Sequence, residues 1–133
     1  MEKHLPTTLS RRRIWAGRII AGFTTLFLLM DGVMKLIQPR VVVETTVGLG
    51  YPASSITGIG TALLLCTILY LIPRTAVLGA ILLTGYLGGA VATHVRVQAP
   101  LFNILFPVLL AVALWAALVL QNPRLQALLW NQE

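Results

Sequence analysis

"LLMDGVMKLIQP", residues 28–39, closes a long apolar run with an aspartate and a lysine four positions apart. Whether those charges are tolerable depends on the solvent around the run, and the composition answers that. The chain has 133 residues, 57% of them hydrophobic and only 11% charged, with a mean hydropathy of +0.85. A globule of this length has too little interior to hide so much apolar surface. A lipid bilayer is the natural solvent for it. The formal charge of +6 does not indicate nucleic acid, because the basic residues form no broad face and lack interleaved aromatics. Their placement reads instead as a membrane orientation signal.

Working outward, four apolar segments emerge, at residues 14–37, 54–72, 75–94 and 101–120. Each holds about 20 residues, enough for the ~30 Å hydrocarbon core at 1.5 Å per residue. Period-2 alternation is missing, so nothing favours a β-barrel. Ser54 and Ser55 stand where they can cap the second helix, and Thr75 can cap the third after Pro73 stops the second. So short a link makes the second and third helices antiparallel neighbours. Pro107 predicts a kink in the fourth. No linker or repeat divides the chain, which reads as one all-α domain, a bundle of four transmembrane helices. Basic tail residues 1–13 precede it, and residues 121–133 follow as a short interfacial tail. There "RLQALLW" sets Leu125, Leu128 and Leu129 at helical spacing beside Trp130.

Orientation follows from charge. Lys3, Arg11, Arg12, Arg13, Arg18, Arg74 and Arg124 fall on the side of the termini, against Lys35, Arg40 and Arg96 on the other. Seven against three predicts a multi-pass cell-membrane protein with both termini cytoplasmic. "SRRRIWAG" looks like a twin-arginine export signal. The stretch after it is span-length, however, and lacks a small-x-small cleavage site.

With the N-terminus inside, the first and third helices both travel outward. Asp31 then lies about 26 Å along the first helix and His94 about 28 Å along the third, so both reach the outer rim. Lys35 sits a turn beyond Asp31, in the favourable acid-before-base order. Depth sets the cost: a charge at mid-membrane costs roughly 2.5–3.5 kcal/mol on insertion scales and much less near the interface. Arg96 follows His94, Tyr86 lies two turns below His94 on roughly the same face, and Glu44, Tyr51 and Asn103 border the same side. Asp31, Lys35, Tyr86, His94 and Arg96 are therefore the candidate ligand-binding residues. The plainer alternative is an interfacial salt bridge among ordinary boundary residues.

The third segment also contains "LLTGYLGGAVATHVR", whose Gly85 and Gly89 form a small-xxx-small pair with Gly88 alongside. These three glycines are the candidate helix-packing positions, first of all within the bundle and otherwise for dimerisation or a cofactor slot. Cys66 is single, which excludes an intrachain disulfide and a Cys-x-x-Cys pair. Two histidines, one in the N-terminal tail, do not make a haem or zinc site, so no metal or haem is expected.

"DGVMKLIQP", "LGYP", "YLIPRTAVLGA" and "LLTGYLGGAVATHVR", followed by "PLFNILFPVLLAVALWAALVLQNPRLQALL", resemble the pattern of the DoxX-like family from about residue 14 onward. The match carries Gly32, Lys35, Leu36, Pro39, Pro73, Arg74, Gly79, Gly85, Gly88, Gly89 and His94. The resemblance implies a four-helix membrane bundle. The family takes its name from a small membrane subunit of a thiosulfate:quinone oxidoreductase, which implies an association with redox complexes. Many relatives carry a glutamate around "TALLL" in the second helix, where this chain has only leucine, weakening any buried-acid relay. With no dithiol, nucleotide loop or hydrolytic triad, independent catalysis is not expected. The expected function is that of an accessory subunit of a redox-linked membrane complex, binding a quinone or similar amphiphile near the outer face. An assembly protein working by helix packing, alone or as a homo-oligomer, is the alternative. An oligomeric transporter or channel ranks below both.

Overall fold

The computed structural model describes residues 10–130, so Lys3 and the rest of the basic tail before residue 10, with residues 131–133, lie outside it. The described residues form six α-helices: α1 Arg11–Ile37, α2 Arg40–Gly48, α3 Ile56–Leu71, α4 Ala76–Arg96, α5 Leu101–Gln121 and α6 Pro123–Trp130. Four of them, α1, α3 (with the 3-10 turn Ala53–Ser55 before it), α4 and α5, are long and apolar enough to cross a membrane. They alternate in direction, up and down. The ring order is α1–α3–α4–α5, with α1 packed on α3 and α5, and α4 packed on the same two. The same-direction helices α1 and α4 therefore face each other across the bundle axis.

Sequence logic accounts for most boundaries. Ser10 accepts the Arg13 amide at 3.4 Å and starts α1 three residues before the apolar run, on the arginines. Gln38 ends it in the left-handed region at φ 56°, with its N–H on the Met34 carbonyl and Pro39 next. The α2 helix went unassigned in the sequence because "RVVVETTVG" is rich in β-branched residues of modest helix propensity. It forms after Pro39 with an exposed Arg40–Glu44 ion pair of 2.7 Å along one side. Asn122 caps α6 by accepting the amides of Arg124 and Leu125 at 3.0 and 3.3 Å.

The serine and threonine caps expected for the second and third spans do not form. Ser55 donates to the Pro52 carbonyl instead, at 2.7 Å. Thr75 turns back to donate to the Leu69 carbonyl at 2.8 Å. The last carbonyls of a helix have no intrahelical donor, and hydrocarbon supplies none. Thr75 therefore serves the helix it follows rather than the one it precedes. The helix α5 continues through Pro107, which is buried.

The core consists of Leu28, Leu63, Tyr70, Ala80, Leu83, Leu87, Leu114 and Leu118. The Tyr70 hydroxyl donates to the Leu114 carbonyl at 2.7 Å and ties the diagonal pair α3 and α5 through it. Buried Thr24, Thr25, Thr67 and Thr93 each donate to the carbonyl four residues earlier, so none of these four hydroxyls is left wanting a partner in an apolar medium. The outer faces are apolar as well, with Phe23 75% and Phe102 70% exposed, as a lipid-facing surface requires.

Helices touch most closely at glycines, but not at those expected. A Cβ on Gly60 would sit 2.7 Å from the Lys35 Cβ and 3.1 Å from the Gly32 carbonyl oxygen, marking the α1–α3 crossing. One on Gly79 would lie 2.6 Å from the Tyr70 Cα, at the α3–α4 hairpin. A Cβ on Gly85, Gly88 or Gly89 would meet no other packed atom within 4 Å among the described residues. Close packing within the bundle at those three positions is thus corrected: they line the outward face of α4. A small-xxx-small spacing says that a helix has a flat side, not which way that side is turned.

Candidate functional site

The end of the bundle away from the termini collects the last turns of α1 and α4, the whole of α2, and the starts of α3 and α5. Asp31 and Lys35 meet here, the ammonium donating to Asp31 Oδ2 at 2.6 Å. The Lys35 side chain is 16% exposed and that of Asp31 39%, so this is a partly enclosed pair. Its enclosure comes from the α1–α3 crossing, where Gly32 and Gly60 let the backbones approach and Lys35 lays its stem over Gly60.

Tyr86, on the diagonal helix α4, is half-buried, with Asp31, Tyr51 and Cys66 within electrostatic range of its hydroxyl. Among the described residues the Tyr86 hydroxyl makes no hydrogen bond, and neither does Asp31 Oδ1. The site thus presents a free donor and a free acceptor beside an ion pair. One turn below Asp31 on α1, Phe27 meets Phe106 of α5 edge-on at 5.1 Å, and Phe102 extends the cluster at 5.7 Å from Phe106. Aromatic carbon therefore borders the polar group on its membrane side.

The other two candidates have different duties. The His94 Nδ1 lies 2.7 Å from the Ala90 carbonyl of its own helix. A carbonyl only accepts, so Nδ1 carries the proton and Nε2 is left as an acceptor in the neutral ring. Arg96 is exposed and donates through Nη2 to the Leu49 carbonyl at 2.7 Å, at the C-terminal end of α2. A cation at that end complements the helix dipole. It reaches the carbonyl beneath Gly50, whose φ of 95° and missing side chain leave the space: a Cβ there would lie 2.8 Å from Nη2. Arg96 is thereby committed to holding α2, which corrects its expected place in the pocket.

Three side chains outside the candidate set take part: Thr93, unnamed in the sequence reading, with Tyr51 and Cys66. Thr93 donates to Gly89, so its oxygen can only accept from Tyr51, and that 2.8 Å bond pins the 49–55 turn to α4. Cys66, noted in the sequence only as the single cysteine, is half-buried and within electrostatic range of Tyr86. An aromatic hydroxyl in a turn between two spans is the signal that marks Tyr51, since such residues favour the membrane boundary. Among the described residues, no three His, Cys, Asp or Glu side chains come together as metal ligands.

Four apolar spans, internally satisfied threonines and a polar group at one end define a small integral membrane protein. The DoxX-like family profile matches residues 19–117, and the chain belongs to that family. Comparison with curated proteins and with solved structures finds no match.

Proposed function

We propose that the end of the bundle opposite the termini binds the polar head of a lipid-soluble amphiphile, with a quinone as the fitting class. The chain then acts as an accessory subunit of a redox-linked membrane complex, its termini in the cytoplasm and the site near the outer face. The observation that carries this reading is the Asp31–Lys35 pair held at 2.6 Å beside the unbonded Tyr86 hydroxyl, with the Phe27–Phe106 pair a turn away. A quinone needs donors for its carbonyls and flat apolar surface for its ring. Lys35 and Tyr86 supply the first, and the phenylalanines the second. Orientation rests on the basic excess at the end of the termini.

Titration of decylubiquinone onto the protein in nanodiscs tests it. Lys35→Met and Tyr86→Phe are each expected to weaken binding about tenfold, the worth of one hydrogen bond in an enclosed site. Unchanged affinity in both variants, or no retained quinone in the parent protein, would remove the reading.

A second reading, assembly through helix packing, is favoured by one observation: Gly85, Gly88 and Gly89 form a flat outward strip on α4 with no described residue of another helix against it. Such a strip lets another helix approach closely and gain dispersion contacts in lipid. Gly85→Leu with Gly89→Leu is expected to abolish self-association, or association with a partner subunit, while leaving the monomer's helical content intact. Cross-linking in native membranes reads the result. Undisturbed assembly would sink it.

A further inference from the structure

Charge is segregated along the bundle axis. At the far end Asp31 is paired with Lys35, Glu44 with Arg40, and Arg96 with the end of α2. At the other end stand Arg11, Arg12, Arg13, Arg18, Arg74 and Arg124, all exposed, with no acidic residue among the described residues there. Adding Lys3, Glu2 and Glu133 from the tails still leaves a large basic excess.

Three of these arginines occupy the first turn of α1, which contains no acid. A helix's first turn carries positive partial charge and free N–H groups, so cations there repel the helix's own dipole. Among the described residues nothing offsets that repulsion, and a negative surface outside the chain would complement it. Arg18 lies over the Trp15 ring at 5.7 Å, and Trp15 and Trp130 are 52% and 71% exposed, in the manner of aromatics that sit at headgroup level.

A second feature meets the same end. A shallow, open groove of about 600 Å³ runs along α5 to Trp130 of the short helix α6, lined by residues including Val108, Val112, Trp115, Val119 and Leu120. Its lining is almost wholly apolar, and Leu120 lies four residues before Arg124. An occupant with an anionic head and a hydrocarbon tail satisfies both features at once.

We propose that the end of the bundle bearing the termini binds an anionic glycerophospholipid, its phosphate on one of Arg11, Arg12, Arg13 and Arg124 and one acyl chain in the α5–α6 groove. Trp115 and Trp130 line that groove, and Trp15, the third tryptophan, reports on the arginine end of α1. The full-length protein is placed in nanodiscs containing a small, equal fraction of acyl-brominated phosphatidylglycerol or acyl-brominated phosphatidylcholine. Bromine quenches tryptophan fluorescence only at close range. The anionic lipid is expected to show roughly fivefold preference, corresponding to a single engaged arginine. The preference should weaken with added salt. Combined Arg11→Gln, Arg12→Gln, Arg13→Gln and Arg124→Gln is expected to abolish it, with circular dichroism confirming an unchanged helical content. Equal quenching by the two lipids in the parent protein, which needs no variant, overturns the proposal. So does a preference that survives removal of the four arginines.

Discussion

Gly79→Val is expected to destabilise the bundle by about 3 kcal/mol or more, at or beyond the usual limit for overpacking. A Cβ at Gly79 would lie 2.6 Å from the Tyr70 Cα and 2.8 Å from the Leu69 carbonyl carbon. These are backbone atoms at the end of α3, and they cannot swing aside as a side chain could. The link from α3 to α4 is only residues 72–75, so the two helices cannot separate without giving up the hairpin. Nor can Tyr70 retreat freely, since its hydroxyl is bonded to Leu114 across the core. Gly22→Val is the matched control. It adds the same side chain to an exposed helical glycine whose Cβ would meet nothing within 4 Å among the described residues, and a change within about 0.5 kcal/mol is expected. Unfolding in mixed micelles, followed by helical circular dichroism, compares the two. Equal midpoints for both variants would show that the hairpin is not closed in this way.

Lys35→Met is expected to cost about 1–3 kcal/mol, the range for stranding a desolvated polar group without its partner. The substitution keeps most of the apolar stem over Gly60 and removes the charge, leaving the Asp31 carboxylate without its cation. Adding Asp31→Asn should restore much of the loss, because the uncompensated charge disappears. A double-mutant cycle on the unfolding free energy isolates the pair. A coupling near zero would place the two side chains in an aqueous rim, where exposed pairs contribute little. That outcome would also undercut the quinone reading, which requires the pair to be shielded.

Much of this architecture is legible before any coordinates. Four spans, their antiparallel order and the α6 helix follow from run length, proline placement and apolar spacing, all local properties of the chain. The Asp31–Lys35 pair is legible for the same reason, because i,i+4 neighbours on one helix meet whatever the rest of the fold does. The helix α2 was not, since its β-branched residues form a helix only between Pro39 and the turn that Arg96 holds. The caps also escaped: Thr75 had two helices to serve, and the sequence does not say which end lacks a donor more.

What the sequence alone determined is how many membrane-spanning helices there are, roughly how long they run, and which end carries the excess of arginine. Hydropathy and charge act residue by residue, so they survive without knowledge of neighbours. Tertiary structure decided which helices sit diagonally, that Tyr86 lies within electrostatic range of Asp31, that Arg96 holds α2, and that Gly79 and Gly60 are closed contacts while Gly85 and Gly89 are open. Those outcomes depend on the rotation of each helix about its own axis. In a chain apolar on nearly every face, that rotation is set by interhelical packing and not by a hydrophobic stripe.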